Sequence, residues 1–162
     1  GNGHDAVHLA GQVAPGGRVF GLDIQEQAIT AGRERLAAEN LTGCATLIRG
    51  DHAALLELLP SETIGRVGAV MFNLGYLPGS DHLNPTQSAT TRQALEQAVH
   101  LIRPGGRITV VMYRGHAAGQ AEYRSVMDHV PSWDQREVEV LHYRFANQIN
   151  NPPELLAIEK VG

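Results

Sequence analysis

Short apolar runs rich in β-branched residues alternate with stretches of helical spacing along most of this chain, and that alternation restricts the fold to a parallel sheet covered by helices. Arg18 to Ile24, Ala45 to Ile48, Gly68 to Leu74 and Arg107 to Tyr113 read as strands. Between them the spacing predicts helices over Glu26 to Asn40, with Ala28, Ile29, Leu36 and Ala37 on one face, and over Asp51 to Leu59, stopped by Pro60. A further helix, capped by Thr90 or Thr91, carries Leu95, Ala98, Val99 and Ile102, and another runs from about Gln120 to His129. The last two extended segments, Arg136 to Phe145 and Leu155 to Val161, have no helix between them and should pair antiparallel at a sheet edge. The expected class is α/β, a Rossmann-like doubly wound, mostly parallel sheet with a C-terminal antiparallel hairpin.

Length and composition fit one soluble domain over residues 1–162. The chain is 43% hydrophobic and 19% charged, which excludes a disordered or collagen-like chain. No apolar run approaches the ~18 residues of a bilayer span, so no membrane partner is expected. A single cysteine, Cys44, forbids an intrachain disulfide and fits a reducing cytoplasm. The net charge of -4 argues against a general phosphate binder, although twelve of the thirteen cations are arginines, the better partners of phosphates and bases. The eight histidines show no HExxH or comparable spacing; His4 and His8 stand four apart, and no metal is expected.

Candidate chemistry collects where strands end. Gly1-Asn2-Gly3-His4-Asp5 opens into a helix, and Asp23 ends the next strand about twenty residues later, the arrangement of a nucleotide-binding α/β fold. Glycines admit close backbone approach to a ligand, and the carboxylate accepts from ribose hydroxyls. Gly1, Gly3 and Ala6 also satisfy the dinucleotide pattern, which leaves NAD open at this turn. Gly50-Asp51-His52 follows the next strand, where a carboxylate can accept from an adenine amino group and an imidazole can lie on the ring. That pair and the terminal hairpin favour S-adenosylmethionine.

Asn73-Leu74-Gly75-Tyr76 ends the third strand of the chain. An asparagine carbonyl there can accept the hydrogens of an amino group and aim its lone pair at an electrophilic methyl, while Tyr76 can stack on a base. The layout resembles the Asn/Asp-Pro-Pro-Tyr loop of amino-group methyltransferases, with Leu74-Gly75 replacing the prolines. The longer string Asn73 to His82, with Thr86 and Thr90-Thr91, resembles the family once listed as putative rRNA methylases, which contains the tRNA 5-aminomethyl-2-thiouridine methyltransferase. Gly1 to Asp5, Tyr113-Arg114-Gly115-His116 and Asn147 to Pro153 are similar to its motifs as well. Ala117-Ala118 departs from the Pro-Gly the family tends to place after the histidine, and the strand expected just before Gly1 is missing from this chain.

The resemblance implies a class I fold, S-adenosylmethionine as donor, and N-methylation of the aminomethyl group on a wobble uridine, with the tRNA anticodon stem-loop as partner. Its implied cofactor set is Gly1, Asn2, Gly3, Asp5, Asp23, Gln25, Asp51, His52 and Asn73. Asn73, Tyr76, Asp81 and His82 are the catalytic candidates, the last two as acceptors of the proton an alkylamine must lose. Tyr76, Arg92, Arg114 and His116 are the candidates for substrate contact. A homodimer is the candidate assembly, and rRNA or a small amine is the alternative substrate. An NAD-dependent oxidoreductase needs a catalytic Tyr-x-x-x-Lys that one terminal lysine does not supply, and a non-catalytic RNA-binding module would call for a strongly basic surface.

Overall fold

The structure is a computed structural model that describes residues 2–74 and 88–162. The chain divides into two compact units, residues 1–54 and 55–162.

The amino-terminal unit holds α1 (His4–Val13), β1 (Val19–Asp23), α2 (Glu26–Ala38) and β2 (Ala45–Arg49). β1 and β2 run parallel, with Val19 opposite Ala45 and Asp23 opposite Arg49. The unit closes on Ala6, Ala10, Ile29, Leu36 and Leu47. Leu36 is buried as its helical spacing demands, whereas Ala37 is exposed and Gly32 takes a buried place on α2 instead. Asn40, at φ 58, ends α2: its amide bonds to Ala37 O at 3.1 Å and that of Leu41 to Leu36 O at 2.8 Å, the paired bonds of a Schellman stop.

The carboxy-terminal unit contains α3 (Leu55–Leu58), β3 (Val67–Leu74), α4 (Ser88–Leu101), β4 (Ile102–Met112), α5 (Ala117–His129), β5 (Val138–Tyr143) and β6 (Glu154–Lys160). Its sheet has the order β3-β4-β6-β5. β3 and β4 are parallel, and β6 is antiparallel to both β4 and β5. The terminal pair forms as expected, but the later strand lies inside and β5 is the edge. Ile108, Val110, Met112, Leu156 and Ile158 fill one face, with Leu95, Leu101 and Val126 among the helix residues buried in the same unit; each such side chain stabilises by about 2 kcal/mol.

Several local expectations are corrected. Residues 51–59 are not one helix: a 3-10 turn at His52–Ala54 precedes the short α3. Ile102 opens β4 rather than closing α4, and the Arg103 to Gly106 turn appears as a bulge, with Val67 opposite Ile102 but Ala69 opposite Arg107. Thr91 is no exposed cap. It is fully buried, and its hydroxyl donates to Glu122 Oε1 at 2.6 Å, joining α4 to α5. α5 begins three residues early because His116 caps it, its Nδ1 accepting from the Gly119 amide at 3.0 Å.

Candidate active site

In the amino-terminal unit, α1 ends at Val13 and β1 starts at Val19, so the start of α1 lies toward the carboxyl ends of β1 and β2. Gly3 precedes that helix at φ 79, and a Cβ built on it would stand 2.4 Å from Gly32 Cα. Only glycine allows the turn to seat this closely on α2. No side chain caps the helix through its N-cap residue, and Asn2 and Asp5 are exposed beside its first turn. Gly1 lies outside the described residues.

Asp23 closes β1, half-buried, and its Oδ1 accepts from the Gln25 amide at 2.9 Å. Its backbone carbonyl accepts from the Gly50 amide at 3.0 Å, which draws the start of Gly50-Asp51-His52 beside it. Asp51 Oδ1 accepts from the Ala53 amide at 2.9 Å and stands 3.8 Å from His52 Nδ1. Burial lowers the His52 pKa below the ordinary histidine value, against the pull of Asp51, so the imidazole is neutral at neutral pH. Two carboxylates, a neutral ring and the start of a helix thus share one edge of two parallel strands. That donor set suits an adenosine carrying an anionic tail.

In the carboxy-terminal unit Asn73 is the next-to-last residue of β3, exposed, in register with Val111. It stands at the carboxyl edge of a parallel pair, where open α/β sheets take their ligands. Tyr76, Asp81 and His82 lie outside the described residues. Arg92 is exposed on the second turn of α4.

Arg114, two residues past β4, is engaged rather than solvated. It donates to Glu154 Oε1, and its guanidinium lies 4.3 Å from the centroid of the Tyr123 ring. Glu154 is only 4% exposed and gathers two further partners: the Tyr123 hydroxyl donates to Oε2 at 2.9 Å, and His142 Nε2 lies 2.6 Å from the same atom. Burial pushes the Glu154 carboxyl up, but the hydrogen bonds from Tyr123, His142 and Arg114 outweigh it and leave the pKa below the usual glutamate value. The sequence reading missed Glu154, Tyr123 and His142. The available signal was the phase of β6, where Glu154 alternates in step with the buried Leu156 and Ile158. Among the described residues no group of three or more His, Cys, Asp or Glu is arranged to hold a metal ion, and no helix is long and apolar enough to cross a membrane.

Residues 19–159 match a family profile described as putative rRNA methylase. The chloroplastic tRNA (mnm5s2U34)-methyltransferase of Arabidopsis thaliana is 36% identical over 134 residues, which is 78% of this chain and 48% of the plant protein. The chain therefore spans about half the length of that curated relative. The crystal structure of a putative rRNA-methylase from Clostridium thermocellum is similar at a TM-score of 0.93 and 43% identity, covering 99% of this chain and 84% of that one. A putative methyltransferase from Streptococcus mutans, in complex with SAH, follows at 0.84 and 33%, with the same coverage.

Proposed function

This chain belongs to the putative rRNA methylase family, and from that premise we propose that it is an S-adenosylmethionine-dependent N-methyltransferase. We take residues 1–162 as one domain whose substrate is the aminomethyl group of 5-aminomethyl-2-thiouridine at the wobble position of tRNA. The observation that carries the reading is Asn73, exposed at the carboxyl edge of β3. The name of the plant relative supports the choice of nucleoside, and the SAH complex of the Streptococcus protein supports the choice of donor.

The donor set fits S-adenosylmethionine. The Gly3 turn and the α1 amides would hold its carboxylate, Asp23 its ribose hydroxyls, and Asp51 with His52 its adenine, Gln25 and Asp5 standing beside them. When bound, the cofactor supplies a methyl group on a cationic sulfur already activated toward displacement. The protein's work is then alignment and desolvation. Asn73 accepts from the amine and points its lone pair, and Tyr76 carries the base. Asp81 or His82 takes the proton that an alkylamine holds at neutral pH. Arg92, exposed on α4, would meet a phosphate of the RNA. Arg114 and His116, already engaged by Glu154 and Gly119, act by shaping the loop between β4 and α5. The single free Cys44 fits a reducing compartment such as the cytoplasm.

The family description favours one second reading, in which the same edge methylates rRNA. Mass analysis of nucleosides after reaction separates the two. One added methyl on the wobble nucleoside of tRNA supports the first, and label confined to rRNA supports the second.

A further inference from the structure

The loop between β5 and β6 is exposed, rich in carboxamides and carries one cation. No acidic residue lies between Glu139 and Glu154, although the protein as a whole has a net charge of -4. The stretch carries Arg144, Phe145 and the carboxamides Asn147, Gln148, Asn150 and Asn151. Residues 143–151 are all exposed; Phe145 is 49% and Ile149 91% accessible. The Phe145 ring stands edge-on to Tyr143 with centroids 6.4 Å apart, which fixes its attitude without covering it.

Position adds to composition. Asn73 pairs with Val111, Val111 with Leu155 and Leu155 with Tyr143, so one row crosses all four strands from Asn73 to the start of this loop. Three strand spacings make that row roughly 14 Å long, a span a short run of unpaired nucleotides covers. The loop re-enters the sheet at Glu154, which Arg114, Tyr123 and His142 hold in place. Aromatic faces stack on bases, a guanidinium neutralises phosphate, and carboxamides match the donors and acceptors of base edges.

We infer that the Arg144 to Asn151 loop is a docking surface for unpaired RNA nucleotides flanking the methylated one. Phe145 is its stacking platform, Arg144 its phosphate contact and the carboxamides its base readers. The inference rests on the RNA methyl-transfer reading and extends it to residues that reading leaves unused.

The test is direct binding of a fluorescent RNA hairpin with the anticodon stem-loop sequence to the full chain, measured by anisotropy apart from any methyl transfer. Phe145→Ala should weaken binding about tenfold and Phe145→Trp should restore it, with thermal unfolding and S-adenosylhomocysteine affinity unchanged. Arg144→Ala should lower the slope of log affinity against log salt by about 0.7. Unchanged affinity in both alanine variants overturns the inference while leaving the methyl-transfer reading intact. RNA binding that depends on Phe145 but leads to no methylated RNA upholds the surface and removes the reading. Absence of RNA binding by the unaltered chain overturns the inference, as does a change of sedimentation on substituting Phe145, which makes the loop a contact between copies.

Discussion

The Tyr123 hydroxyl donates to the Glu154 carboxylate at 2.9 Å across 31 residues of sequence. Through that bond and those from Arg114 and His142, one buried acid ties together α5, the end of β5, the start of β6 and the residues just past β4. Four groups scattered from position 114 to 154 fix the loop beside the strand that is paired with β3.

Glu154→Gln should destabilise the protein by about 2 kcal/mol at neutral pH, because the half-buried Arg114 loses its counter-charge and His142 its carboxylate partner. The folded-state pKa of Glu154 lies below its unfolded value, so its stabilisation is present above the ordinary glutamate range and is lost as pH falls through the folded value. Urea unfolding across acidic pH should show this loss in the unaltered chain and a flatter curve in the variant.

Glu122 behaves in the opposite sense. Burial raises its pKa, partly offset by the Thr91 hydroxyl. Its contribution is complete below the unfolded value and fades as pH rises through the folded one. Glu122→Gln should therefore gain stability relative to the unaltered chain as pH rises from acid to neutral, read as a pH series of melting temperatures. Thr91→Val should cost about 1–3 kcal/mol by leaving a buried acceptor without its donor.

Two glycines of the amino-terminal unit should respond with opposite signs. Gly3→Ala meets Gly32 Cα at 2.4 Å in a left-handed conformation, and both strains oppose folding. A loss of on the order of 2 kcal/mol is expected, together with weaker S-adenosylmethionine binding. Gly11→Ala, inside α1 with nothing within 4 Å, should instead stabilise by about 1 kcal/mol. Denaturant titration of the two variants side by side checks the contrast.

Asn73→Ala should lower kcat by about a hundredfold while leaving cofactor affinity within a few-fold, since the role proposed for it is alignment of the amine. Asp23→Ala should weaken cofactor binding by about tenfold to a hundredfold, the value of a hydrogen bond to a charged group. Calorimetry with S-adenosylmethionine and steady-state kinetics on RNA separate these effects. Equal loss of both functions in both variants would contradict the division of labour.

Local signals carried much of this architecture. The β-branched runs, the helical spacing of Ala28, Ile29 and Leu36, and the absence of a helix between the last two strands all appear in the structure. What the sequence hid was tertiary. Thr91 looked like a cap because capping and buried hydrogen bonding use the same hydroxyl, and its partner Glu122 lies 31 residues away. Arg114 reads in the sequence as a candidate for substrate contact because Glu154, Tyr123 and His142 come together around it only once β4, α5, β5 and β6 have assembled. The positions of Asp23, at the end of β1, and Asp51, two residues past β2, were legible because strand ends are local features, and each carboxylate is tied to the chain within two residues of itself.

The most direct measurement is transfer of labelled methyl from S-adenosylmethionine to tRNA that lacks the terminal methyl on its wobble uridine, followed by digestion to nucleosides. The account predicts label on the aminomethyl nitrogen of that uridine, entering about a hundredfold more slowly with Asn73→Ala. Label on a ring carbon, a ring nitrogen or a ribose hydroxyl would contradict an amine held by Asn73, as would full activity in the variant.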